Sequence, residues 1–85
     1  MTAPTILITG AAGHLGRAVA AAFAAQGARL VLLDRQAQAL RQAFGADTDR
    51  QLCLDTDLLD ATRTGEAVRA AVARFGGLTV LCHLA

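Results

Sequence analysis

The sequence predicts an α/β fold: a doubly wound parallel sheet of four strands in the order 3-2-1-4, with helices on both faces. Three observations carry this. Short continuous apolar runs alternate with stretches whose apolar residues recur at helical spacing, and glycines punctuate the junctions between them. Right-handed crossovers then leave very few topologies, and the favoured one has a switch point between strands one and four, where ligands bind at the strand C-termini.

The first run, TILIT (Thr5 to Thr9), is β-branched and aliphatic and ends at glycine, as a strand buried on both faces does. Leu15, Ala18, Val19, Ala22 and Phe23 then recur at helical spacing across HLGRAVAAAFAAQG, with Gly27 placed to end the helix. RLVLL (Arg29 to Leu33) reads as strand two. Ala37, Leu40 and Phe44 form a narrow stripe on a short helix ending near Gly45. QLCL (Gln51 to Leu54) is a short third strand, and Ala67, Val68, Ala71, Val72 and Phe75 give the third helix an apolar face, stopped by Gly76 and Gly77. LTVLCHLA (Leu78 to Ala85) is the fourth strand.

A chain of 85 residues suits one small domain, and 54% hydrophobic against 18% charged residues excludes a disordered segment. Eight basic and seven acidic side chains nearly cancel, so no field attracts nucleic acid or an acidic membrane surface. There is no basic leader followed by a long apolar segment, and no run reaches the roughly 18 apolar residues of a membrane span; a cytoplasmic location is expected. Cys53 and Cys82 lie in apolar strands and behave as small hydrophobes. Three strand positions at about 4.8 Å each place them roughly 14 Å apart, beyond the limit of about 7 Å for a disulfide. His14 and His83 show no ligand spacing to them, so no metal site is expected.

Gly10, Gly13 and Gly16 fall between the first strand and the first helix. A phosphate there meets unpaired N–H groups and the positive end of the helix dipole, and glycine lets it approach the backbone. A tight strand-to-helix turn is the plainer reading of the glycines alone. Asp34 favours the phosphate reading, because it ends strand two 18 residues after Gly16, close to the spacing at which a dinucleotide fold places an acid on the adenosine ribose. Its charge repels a 2′-phosphate and favours NAD over NADP. Arg35 and Arg17 pull the other way if they reach that phosphate, and otherwise are solvated surface arginines.

His14, at a helix N-terminus, is disfavoured as a cation by the dipole; it either faces solvent or touches the phosphate. His83, at the end of strand four, either lines the cofactor or packs as a hydrogen-bonded residue. Asp55, Asp57 and Asp60 share one strand-to-helix connection, where Asp60 suits a helix cap better than a catalytic pair.

These stretches together resemble the short-chain dehydrogenase/reductases. TGAAGHLG (Thr9 to Gly16) looks like that family's cofactor loop, LVLLDR like its second strand with the ribose acid, DLLD (Asp57 to Asp60) like the stretch bordering adenine, and GGLTVLCHLA like the strand leading into its Asn-Asn-Ala-Gly motif. The resemblance covers the whole chain in order and implies the first half of a Rossmann-type domain, the N-terminal part of one NAD(P)-binding unit. It implies cofactor contacts at Thr9, Gly10, Ala12, Gly13, His14, Leu15, Gly16, Asp34, Arg35, Asp57, Leu58, His83 and Ala85. Asp57 would meet the adenine amine and Leu58 the edge of the ring.

The family's hydride transfer to or from a hydroxyl or carbonyl uses tyrosine, lysine and serine, and this sequence contains none of the three. The segment alone is therefore expected to be inactive and to be the cofactor-binding piece of a longer dehydrogenase. That protein would act on a small molecule and form a homo-oligomer. The apolar fourth strand would otherwise be left as an open edge. Two departures stand out: the glycines fall as TGxxGxxG with His14 where the commoner branch has glycine, and His83 and Leu84 replace the two asparagines. Both resemble the extended branch, so an NAD-dependent epimerase or dehydratase is one alternative and a non-catalytic dinucleotide-binding module another.

Overall fold

The computed structural model describes residues 3–57 and 59–84. In chain order the elements are β1 (Thr5–Thr9), α1 (His14–Ala25), β2 (Arg29–Asp34), α2 (Ala37–Phe44), β3 (Gln51–Asp55), α3 (Ala61–Phe75) and β4 (Val80–His83). The strands form one parallel sheet in the order β3-β2-β1-β4, as the alternation of periods predicts. Ile6 pairs with Leu30 on one side and Val80 on the other, and Leu30 pairs with Gln51.

The continuous apolar runs are explained by a sheet covered on both faces, since successive side chains of a strand point to opposite sides. Ile6, Ile8, Leu30 and Leu32 face α1 and α2, packing with Ala20 and Leu40. Leu7, Val31 and Leu33 face α3 and pack on Ala67 and Ala71. Each of the large side chains in these two layers contributes about 1.5–3 kcal/mol by leaving water. Asp60 caps α3 by accepting from the N–H groups of Thr62 and Arg63 at 3.0 and 3.2 Å.

The helix faces depart from the expected stripes. In α1 the buried line is Gly16 and Ala20 with Val19 and Phe23 beside them, while Leu15 is 62% exposed and Ala18 and Ala22 are exposed. The helix is rotated because Gly16 must sit against the turn after β1, so small residues make the contact. In α3 Ala67 and Ala71 are buried, but Val68 and Val72 keep 38% and 45% of their surface. The helix lies over β1 and β2, and Val68 borders an apolar hollow with Leu78 and Leu81 beside β4.

Both outer strands of the described sheet differ in detail from expectation. β3 runs one residue further, to Asp55, and β4 begins at Val80 because Thr79 first bonds Thr5, its hydroxyl accepting the Thr5 N–H and its own N–H reaching the Thr5 carbonyl. Ala85 lies outside the described residues. Cys53 and Cys82 are free thiols on opposite outer strands, half-buried because an outer strand is covered less completely. No helix among the described residues is long and apolar enough to cross a membrane.

Candidate functional site

The site forms where the sheet ends. β1 stops at Thr9, and Gly10 follows with φ +66°, a left-handed conformation that side-chain-bearing residues rarely adopt. The turn is then fixed by backbone bonds: Ala11 donates to the Leu33 carbonyl at 3.0 Å and Gly13 donates to the Gly10 carbonyl at 3.1 Å. Gly16 packs against this turn so closely that a Cβ there would run into the Gly10 carbonyl and come within 2.7 Å of the Ala11 Cα. At Gly13 a Cβ would make only an ordinary contact, 3.4 Å from the Gly10 carbonyl. Gly16 therefore serves the fold, and Gly13 leaves open backbone at the mouth of the helix.

Gly13 is the N-cap of α1 and offers no side chain to satisfy its first-turn amides. Those N–H groups, with the helix dipole behind them, suit an anion. His14 and Leu15 sit exposed on this first turn. Arg17 donates to His14 Nδ1 at 3.2 Å, so it is engaged along α1 and does not line the groove described next.

Asp34 closes β2 and faces this turn. Its Oδ2 accepts the Ala12 N–H at 3.2 Å and its Oδ1 accepts the Gln36 N–H at 3.1 Å, which holds the carboxylate in one orientation. A carboxylate has about four acceptor sites, so it still has capacity for ligand hydroxyls. Beside it opens a groove of about 540 Å³, lined by Gly10, Leu33, Asp34, Arg35, Thr56, Asp57, Leu59 and His83. That volume falls in the range of small-molecule sites, and the position at the strand C-termini is where open α/β sheets bind ligands.

The structure thus brings Gly10, Asp34, Arg35, Asp57 and His83 to one groove, with Ala12 and Gly13 joined to it through the turn. Thr9 is buried beneath, its hydroxyl accepting the Leu84 N–H at 3.0 Å and lying 2.9 Å from His83 Nδ1. Asp57 Oδ1 accepts the Leu59 N–H at 3.0 Å and turns the chain at the groove's rim. Leu58, expected at the ring of adenine, and Ala85 lie outside the described residues. Sequence reasoning missed three lining residues. Leu33 and Thr56 could have been found from the rule that strand C-termini carry the site, since Thr56 follows β3 directly and donates its N–H to the Asp34 carbonyl at 2.9 Å. Leu59, a large apolar residue 91% exposed, falls within the DLLD stretch that the resemblance places beside adenine.

A smaller cavity of about 160 Å³ lies between α2 and β3, lined by Ala37, Leu40, Arg41, Gly45, Asp47, Cys53 and Asp55. Burial there pushes the Cys53 thiol above its ordinary pKa, the nearby Asp47 carboxylate pushes it further, and Arg41 opposes both.

The model of the family described as short chain dehydrogenase matches residues 4–85. An uncharacterized oxidoreductase of Mycobacterium bovis is 40% identical over 86 residues, covering 98% of this chain and 34% of that protein. The D-threitol dehydrogenase of Mycolicibacterium smegmatis is 35% identical over 82 residues, covering 93% of this chain and 32% of the relative. Among solved structures, a 3-ketoacyl-(acyl-carrier-protein) reductase from Brucella melitensis complexed with NADH superimposes with a TM-score of 0.84 and 32% identity, over 92% of this chain and 32% of that one. The chain spans about a third of the length of the curated relatives it matches.

These similarities favour the dehydrogenase reading over an extended-branch epimerase or dehydratase and over a non-catalytic module. The residues present also fit a dinucleotide: open backbone at Gly13, an uncapped helix start and an acid fixed at the end of β2. With the family model matching residues 4–85 and a parallel sheet in the order β3-β2-β1-β4, the chain belongs to the short chain dehydrogenase family of oxidoreductases.

Proposed function

We propose that this chain is the N-terminal part of a single dinucleotide-binding domain in an NAD-preferring oxidoreductase that interconverts a hydroxyl and a carbonyl on a small molecule. The observation that supports it most is the Asp34 carboxylate, anchored by Ala12 and Gln36 and facing the groove from the end of β2. Bound nicotinamide dinucleotide supplies the hydride acceptor or donor. The chain's own residues hold it. Gly10, Ala12, Gly13, His14, Leu15 and Gly16 form the turn and helix start that take the diphosphate, and Asp34 accepts from the adenosine ribose hydroxyls. Asp57 borders the adenine, and His83 continues the wall from β4; the roles the resemblance implies for Leu58 and Ala85 fall on residues outside those described.

The carboxylate also sets the preference for NAD, because a ribose 2′-phosphate would bring negative charge against it in a groove with few compensating groups. Arg35, the one arginine among the described lining residues, stands on the same wall and softens that preference. The sequence holds no tyrosine, lysine or serine, so the proton transfer and carbonyl orientation that accompany hydride transfer in this family fall outside these 85 residues, and the segment alone is inactive.

Calorimetric titration of the full chain with NAD and with NADP tests this reading. NAD should bind at least tenfold more tightly, and Asp34→Ala should weaken NAD while bringing the two affinities together. Equal affinities in the unaltered protein would remove the NAD preference, and binding of neither would remove the function.

A further inference from the structure

β3 lies at one end of the described sheet and pairs only with β2. The Arg50 carbonyl accepts the Leu30 N–H and the Thr56 N–H reaches the Asp34 carbonyl, so residues 50, 52, 54 and 56 turn their backbone groups toward β2. The alternate residues, Gln51, Cys53 and Asp55, turn theirs outward. An outward row of this kind is a template for another strand, and β3 carries neither the proline nor the lysine that commonly blunts such an edge. Each of these residues is instead engaged from within the chain. The Gln51 carbonyl accepts the Thr48 N–H at 2.9 Å in an antiparallel bridge, Asp47 Oδ1 accepts the Cys53 N–H at 2.8 Å, and Arg63 of α3 donates from Nη2 to the Asp55 carbonyl at 3.0 Å. The turn that brings Asp47 and Thr48 there is itself tied down. Gly45 reverses the chain after α2 with φ +74°, Gln51 Nε2 donates to the Phe44 and Ala46 carbonyls at 2.9 and 3.1 Å, and Arg74 Nη2 donates to the Thr48 carbonyl at 2.8 Å.

We propose that the connection between α2 and β3 is a strap that blocks strand addition at this edge, with Asp47 as its latch, and that the partner it excludes is a second copy of this chain. An added strand needs the outward N–H and carbonyl groups of β3 free, and the strap holds them in bonds of its own. The side chains of β3 do not forbid self-pairing. Two β3 strands running antiparallel about a twofold axis at Cys53, the middle residue of Gln51–Asp55, would set Leu52 against Leu54 and Gln51 against Asp55, with no like charges directly opposed. The protection therefore comes from the strap, and from Arg63 at the far end of the strand. This inference is independent of the dinucleotide reading, since the strap stands at the outer edge of β3 and contributes no residue to that groove.

The test follows amide exchange and self-association of the full chain, with Cys82→Ala as background so that Cys53 is its one thiol. In dilute solution Asp47→Ala should speed exchange of the Cys53 amide about tenfold, the loss of one charge-assisted bond. As concentration rises, sedimentation should show this variant associating beyond the background protein. Hydrogen-bonded partners across an antiparallel pair stand about 5.5 Å apart at Cα, within the span of a disulfide. A mild chemical oxidant should therefore link Cys53 to Cys53 between copies of the variant and leave the background protein unlinked. Asp47→Asn keeps an acceptor oxygen and should behave as the background does. Arg63→Ala changes an exposed side chain and opens the other end of the strand, so it should raise linkage even if Asp47→Ala fails to fold. Unchanged exchange at Cys53 in a folded Asp47→Ala protein overturns the latch. Faster exchange without added association, or association without the Cys53 link, shows a turn that does not guard the edge and overturns the proposal.

Discussion

Asp34 Oδ2 accepts the backbone N–H of Ala12 at 3.2 Å, so the carboxylate that ends β2 also fixes the turn that follows β1. The acid placed for a ribose thereby preorganises the turn placed for a diphosphate. Asp34→Ala should raise amide exchange at Ala12 in the ligand-free protein about tenfold, the loss of one charge-assisted bond. Asp34→Asn, which retains one acceptor oxygen, should fall between the two. Exchange measured by NMR at Ala12, with Ala20 in the core as reference, checks this.

Gly13 and Gly16 should separate binding from folding. Gly16→Ala forces a Cβ into the turn at Gly10 and Ala11 and should destabilise the protein by about 1–3 kcal/mol, as overpacking does. Gly13→Ala meets only the Gly10 carbonyl at 3.4 Å, so it should change stability by less than about 1 kcal/mol while weakening dinucleotide binding by obstructing the helix mouth. Urea unfolding beside ligand titration distinguishes the two.

Asp60→Ala should destabilise by about 1 kcal/mol through loss of the α3 cap to Thr62 and Arg63. NAD affinity should be unchanged, because Asp60 is not among the groove's lining residues. A drop in affinity beyond twofold would make it part of the site.

Cys53 carries a pH dependence whose sign follows from its surroundings. Burial and then Asp47 raise its folded pKa above that of the unfolded thiol, with Arg41 opposing. Its contribution to stability is therefore fully present below the unfolded value of about 8.5 and is lost as pH rises through the higher folded value. Alkylation of Cys53 at pH 8.5 should be slower than that of a free thiol. Asp47→Asn should accelerate it while leaving an oxygen to accept the Cys53 N–H, which Asp47 Oδ1 now takes at 2.8 Å. Mass spectrometry of the labelled peptide gives the rates.

Much of this molecule is legible in its sequence, because its strands are short apolar runs and its helices have a different period. The glycine turn and Asp34 stand out for the same reason: each is a residue type tied to a backbone or charge requirement. What the periodicity misled on was which part of each apolar face of α1 and α3 is buried. In α1 Leu15 matches the stripe yet Gly16 and Ala20 make the close contacts, and in α3 Ala67 and Ala71 of the expected face are buried while Val68 and Val72 of that face stay half-exposed, because helices approach a sheet nearest where side chains are small. Thr56 follows from its place at the C-terminal end of β3, and Leu59 lies within the DLLD stretch, but which of these side chains line the groove depends on the path of the β3–α3 connection. The Asp34 bond to Ala12 likewise depends on a contact across 22 residues of chain, whereas its bond to Gln36 is local.

The central claim is that the groove at the ends of β1, β2, β3 and β4 holds a dinucleotide by its turn and by Asp34. Backbone amide NMR during titration of the full chain with NAD tests it most directly. The account predicts saturable shifts at Gly10 through Gly16 and at Asp34, Arg35, Asp57 and His83, greatly reduced in Asp34→Ala. Shifts centred instead on the cavity around Cys53 and Asp47, or none at concentrations of about 1 mM, would contradict it.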